Sequence, residues 1–250
     1  MKENIARLGI CITLALILSA ALMTSPAMGA QDALTIKSMK VSVWPEYDDP
    51  RILVTYQGEF NDGTLFPRTV KFPMPTGSEI AQVCALRPPN NEHLCQLYDT
   101  LAEPDQIAVS YNLPIPTYYL EYYWDGISSQ PDKAFTFSYT SPYAIENLEI
   151  EVQQPLRATD FKLAQPYLSA ASDSRGMKYY RYVFNDVAPG QPVSIEASYT
   201  KPDNKPSVAK TTGGQTGGAT GSNPYGVIGI GTALLAAAVI GFVLLRRKPA

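Results

Sequence analysis

Leu148-Glu149-Ile150-Glu151-Val152-Gln153 alternates apolar and polar side chains with period two. Successive side chains of an extended chain point to opposite faces, so this stretch reads as a strand with one face buried and one face wet. The same pattern recurs on both sides of it. Ile107, Val109, Tyr111 and Leu113 form one such row, and Phe135, Phe137 and Tyr139 form another. Tyr180, Tyr182 and Phe184 repeat it, followed by Val193, Ile195, Ala197 and Tyr199. Asn61-Asp62-Gly63, Pro75-Thr76-Gly77, Pro88-Pro89-Asn90-Asn91 and Pro189-Gly190 separate these runs with turn chemistry. No helix-period segment of useful length falls between residues 34 and 200. The body therefore reads as all-β, an immunoglobulin-like β-sandwich.

An internal correspondence suggests two sandwiches in tandem. Trp44 precedes Ile52-Leu53-Val54-Thr55-Tyr56, as Trp124 precedes Phe135-Thr136-Phe137-Ser138-Tyr139. Val70–Phe72 then corresponds to Leu148–Val152, and Ile107–Tyr111 to Ile195–Tyr199. Self-similarity at a near-constant spacing is the mark of repeated units. The expected domains are residues 31–115 and 116–202, each near the usual domain size. One larger sandwich with look-alike strands is the rival expectation.

Both ends of the chain are apolar. Lys2 and Arg7 are followed by an apolar run that leads into Ala27-Met28-Gly29-Ala30, the order of a signal peptide spanning 1–30. Residues 226–245 supply a second run, roughly 30 Å long as a helix and so sufficient to span a bilayer. Arg246, Arg247 and Lys248 follow, which assigns 246–250 to a cytoplasmic basic tail. Between body and apolar run, residues 203–225 are rich in Gly, Thr and Ser and read as a flexible linker. The expected location is the cell membrane, single-pass, with the body extracytoplasmic.

Residues 31–224 carry 15 basic and 22 acidic side chains, a net charge of −7. An acidic exterior argues against nucleic acid as a partner. Cys11 falls in the signal, which leaves Cys84 and Cys95 as an even pair for an oxidising compartment. A disulfide is the expectation, worth about 3 kcal/mol by loop closure.

Candidate sites are few. His93, the single histidine, lies two residues before Cys95, so a metal carrier would have to use Cys84, His93 and Cys95. One imidazole is too few for a copper site, and the cysteine spacing is too wide for a zinc knuckle. No cofactor is expected. No Gly-x-Ser-x-Gly turn is present, and the chain reads as a non-enzyme. Trp44, Glu46, Tyr47, Asp48 and Asp49 sit in one segment and would suit a hard cation or a basic peptide. The plainer expectation places Trp44 in the core and the acids in water. Tyr118, Tyr122 and Trp124 belong to the densest aromatic cluster, suited to a surface glycan, a protein partner or a domain interface. Gly229, Ala233, Ala237 and Gly241 recur every fourth residue in the apolar run, a row that permits docking on another membrane helix.

The segment Val43-Trp44-Pro45-Glu46-Tyr47-Asp48-Asp49-Pro50, followed by Ile52–Tyr56, resembles a group of bacterial cell-surface β-sandwich proteins. These share a V-W-P-E-Y-D-x-P segment, a β-rich body and a C-terminal membrane anchor. The resemblance implies a layout and no mechanism. The tail also resembles that of sortase-sorted proteins, but Ser222-Asn223-Pro224-Tyr225-Gly226 stands where a sorting motif would be. The expected function is non-catalytic binding or presentation at the cell surface. A carbohydrate-binding module, an accessory subunit of a membrane complex and a metal carrier are the alternatives.

Overall fold

The computed structural model describes residues 34–128 and 131–210. By its contacts the chain divides into Met1–Leu34 and Thr35–Ala250, and every element below belongs to the second. The described residues form β1 (Thr35–Pro45), β2 (Ile52–Phe60), β3 (Arg68–Pro75), β4 (Glu79–Arg87), β5 (Glu92–Cys95), β6 (Tyr98–Ala102) and β7 (Gln106–Leu113). They continue with β8 (Thr117–Trp124), β9 (Asp132–Thr140), β10 (Ala144–Gln154), β11 (Thr159–Leu163), β12 (Ser169–Ser172), β13 (Lys178–Val187) and β14 (Pro192–Thr200). One 3-10 turn, Gly63–Leu65, is capped by Asp62, whose Oδ1 accepts from the Thr64 amide at 2.8 Å. The expected signal, apolar run, basic tail and small-residue row all lie outside the described residues. Among the described residues, no helix is long and apolar enough to cross a membrane.

The described residues are all-β, with strands in three sheets. The large sheet runs β12-β13-β10-β1-β2-β8-β4-β5, and the small ones run β11-β14-β9 and β3-β7-β6. Pairing is antiparallel except at β1 and β10, which run parallel with Thr35 beside Ala144 and Val43 beside Val152. Period-two alternation puts Val41, Val43, Val54, Tyr56, Ile150 and Val152 fully inside. Ring contacts join the small sheets to the large one. Phe72 of β3 meets Tyr118 of β8 at 4.6 Å, Tyr139 of β9 meets Tyr56 of β2 at 5.1 Å, and Phe161 of β11 meets Tyr180 of β13 at 5.3 Å. Gly58 falls on the crowded side of β2. A Cβ there would stand 2.4 Å from both the Ser38 carbonyl oxygen and the Tyr118 hydroxyl.

Two expectations about organisation differ from these pairings. The strands that correspond as repeats do not share neighbours: β3 lies beside β7 in a small sheet, whereas β10 lies between β1 and β13 in the large one. Half-buried strands look alike because each buries one face, whichever sheet receives it. The boundary at 115/116 also places β8 with the second half, but β8 pairs with β2 and β4 of the first. Through β1 and β10, strands of both halves share one sheet.

Candidate functional site

The Trp44–Pro50 segment begins at the end of β1. Glu46 adopts φ 49°, a left-handed conformation rarely used by a residue with a Cβ. Its amide donates to the Arg51 carbonyl at 2.9 Å, which closes the turn into β2. This turn sends the Glu46 side chain inward, where it is 0% exposed.

The groups that meet it come from the β9/β14 pair, in which Lys133 stands opposite Tyr199. On β9, Lys133 continues the buried row Phe135, Phe137, Tyr139. Lys201 continues the buried row Val193, Ile195, Ala197, Tyr199 one step beyond the end of β14. Both lysines thus occupy core-facing positions at the same end of one small sheet. The Lys133 ammonium donates to Glu46 Oε1 at 2.7 Å, and that of Lys201 donates to the same oxygen at 3.0 Å. Tyr199 Oη donates to Glu46 Oε2 at 2.8 Å. The side chains of both lysines are at most 1% exposed.

Two buried ammonium groups share one buried carboxylate, so the remaining acceptors come from the chain after β14. Lys133 Nζ also donates to the Asp203 carbonyl at 2.7 Å and to Asn204 Oδ1 at 2.9 Å. Lys201 Nζ donates to Asp203 Oδ1 at 2.7 Å and to the Asp203 and Lys205 carbonyls, both at 2.9 Å. Hydrogen bonding to Lys201 holds the Asp203 carboxyl down to about 2. A buried charge is tolerated when its hydrogen bonds are complete, as they are here.

The same segment is fastened along its length. Ser207 N donates to the Glu46 carbonyl at 2.7 Å and Val208 N to the Tyr47 carbonyl at 2.8 Å. Leu156 N donates to Ser207 Oγ at 2.9 Å, and Arg157 Nη2 donates to the Lys205 carbonyl at 2.9 Å. Lys210 Nζ reaches Asp49 Oδ2 at 3.5 Å and lies 4.4 Å from the Tyr123 ring centroid. Residues 203–210, expected at the start of a flexible linker, are a strap seated on the turn after β1. The linker's remaining residues, 211–225, lie outside the described residues.

The other candidates are committed to the fold. Asp49 accepts from Arg51 Nε at 2.8 Å and Nη2 at 3.0 Å, and these bonds hold its carboxyl down to about 2. Asp48 accepts from Tyr123 Oη at 3.1 Å. Trp44 is half-buried and packs on Tyr47 at 4.9 Å and Tyr179 at 6.1 Å. Neither expectation for the segment describes Glu46, which faces neither water nor a foreign cation. The basic group that the segment takes is carried by the chain itself.

Tyr118 and Tyr122 are both 0% exposed, and the Tyr122 hydroxyl is 2.8 Å from that of Tyr56. Stacking on a sugar needs an exposed ring face, which neither residue has. Burial pushes both phenols well up. Trp124 is only half-buried and borders a groove with Pro73, Pro75, Glu103, Thr136 and Ser138. Cys84 and Cys95, directly opposed on β4 and β5, form the expected disulfide. Their sulfurs are bonded to each other, so no thiolate pair is left for a metal. His93 instead lies 3.0 Å from Gln82 Oε1 and packs on Tyr119 at 4.7 Å.

Sequence reasoning missed Lys133, Tyr199, Lys201 and Asn204. The signal was present for the lysines, since each extends an apolar period-two row by one step. A surface lysine would interrupt such a row.

No family model matches the chain, and no curated protein matches it. Among solved structures, it is similar to one described as "a putative protease" from Parabacteroides distasonis, at 10% identity and a TM-score of 0.38. That similarity covers 68% of this chain, which spans 41% of the other's length.

Proposed function

We propose that the chain is a non-catalytic, membrane-anchored extracytoplasmic β-sandwich protein that binds or presents a partner at the cell surface. The strap carries this reading. Because Lys201–Lys210 are fastened to the body, the chain sets off toward the apolar run at 226–245 from one defined place. A body held this way has a fixed point of departure at Lys210. The Cys84–Cys95 disulfide supports an oxidising compartment.

In this reading the body is two immunoglobulin-like sandwiches fused through β1 and β10. The first sets β5-β4-β8-β2-β1 over β3-β7-β6, and the second sets β10-β13-β12 over β11-β14-β9. Trp124, bordering its groove, is the aromatic candidate best placed to meet a protein or glycan partner.

Protease treatment of intact cells whose outer surface is accessible, followed by crosslinking in the membrane, tests the reading. The body should be cleaved from outside while the basic tail is protected, and crosslinking should capture a defined envelope component. Protection of the body until lysis would refute the topology. Turnover of a small molecule by the released body would refute the non-catalytic role.

A further inference from the structure

We propose that the Lys133–Asn204 contact is the site of an intramolecular amide cross-link, formed by the chain on itself with Glu46 as the proton carrier. Three observations lead there. A lysine nitrogen lies 2.9 Å from the carboxamide oxygen of Asn204, which places the nucleophile beside an amide carbon. A buried carboxylate oxygen stands 2.7 Å from the same nitrogen, where it can accept the proton that Lys133 must lose to become nucleophilic. The cluster also holds two buried cations against one buried anion, with Asp203 at the margin as the second.

The step is redox-neutral and needs no co-reactant. Glu46 takes one proton from the Lys133 ammonium, and the free amine attacks Asn204 Cγ. The new bond joins Nζ to Cγ, and the bond from Cγ to Nδ2 breaks. Nζ gives up a second proton. The departing Nδ2 group leaves as ammonium, carrying both protons away. A hydrogen bond to a carboxamide oxygen prefers the plane of the amide, whereas attack comes at its face. Asn204 must therefore turn about its terminal torsion, which is soft for a carboxamide. Asn204 is exposed, so it has room to turn and its leaving group meets water.

The product has a simpler charge balance. One buried cation disappears, and Lys201 and Glu46 remain as a one-to-one pair. An amide at this place would also join β9 covalently to the strap, replacing a contact held by hydrogen bonds alone.

Peptide mapping by mass spectrometry of the purified full-length chain tests the proposal. A branched peptide should join the Lys133 and Asn204 segments, one ammonia lighter than the two together, and trypsin should fail to cut after Lys133. Quantitative recovery of linear peptides, with cleavage after Lys133 and an intact Asn204, overturns it. Asn204→Ala changes an exposed side chain and should fold, yet restore cleavage after Lys133. Glu46→Gln, with strand content checked by circular dichroism, should leave the two peptides unjoined. A folded Glu46→Gln chain that still cross-links overturns the role given to Glu46. The surface-binding function and the cross-link stand or fall separately, because the map reads only the covalent bond.

Discussion

Glu46 shows how much of a buried ion cluster rests on one residue. Replacing it by alanine leaves two ammonium groups without their carboxylate, and breaking a buried pair from one side costs about 3–5 kcal/mol. Glu46→Ala should lower stability by that amount in denaturant titration, while Glu146→Ala, on the surface, should change little. Gly58 makes a second test. Its missing Cβ leaves space for the Tyr118 hydroxyl and the Ser38 carbonyl, and the carbonyl belongs to backbone that cannot swing away. Gly58→Ala should destabilise by about 1–3 kcal/mol through overpacking, read as a drop in melting temperature. At this scale the sequence was legible where a residue's chemistry matched its surroundings. The disulfide could be read from cysteine number and compartment. Glu46 could not, because its burial depends on two lysines 87 and 155 residues away in the chain.

Among elements, the strap departs most from expectation. Its composition, with three lysines and two prolines in Lys201–Lys210 and only Val208 and Ala209 otherwise apolar, is that of a linker, and composition does not record hydrogen bonds to a distant turn. A chain ending at Lys210 should keep the melting temperature of longer forms, whereas one ending at Thr200 should lose stability and aggregate more readily. Acid should loosen the same element. The Asp49 carboxyl sits at about 2 in the folded chain, below its ordinary value of 3.8, chiefly because Arg51 hydrogen bonds to it. A lowered carboxyl stabilises the fold fully above its unfolded value and loses that contribution as pH falls toward the folded one. Amide protection at Ser207 and Val208 should therefore hold at pH 5 and decline between about pH 4 and 2. Asp49→Asn should flatten part of that decline. The strands themselves were legible from period two, since burying one face leaves a trace in every second residue. Their partners were not, because any half-buried strand satisfies the same pattern.

At the scale of the molecule, the large sheet couples the halves. β1 and β10 join the halves inside it, and unfolding either half would leave the joining strand of the other as an unpaired edge. Residues 35–210 should therefore unfold in one calorimetric transition, and two well-separated transitions would mean that the halves are independent. A piece spanning 31–115 should fail to fold, since it lacks β8, the strand between β2 and β4. Removing the disulfide as Cys84→Ala with Cys95→Ala should shift that transition down by about 3 kcal/mol without splitting it. The strap also bears on the order in which the fold is made. Glu46 ends the first strand, and its partners arrive with Lys133 and with the residues after the last strand. A chain synthesised from its N-terminus gains Lys133 as a partner for this carboxylate midway, but Tyr199 and Lys201 only when the last strand has been made. The cluster is thus completed last, and a ribosome that stops before Lys201 leaves a product in which the Lys133 ammonium keeps Glu46 but lacks its acceptors on Asp203 and Asn204.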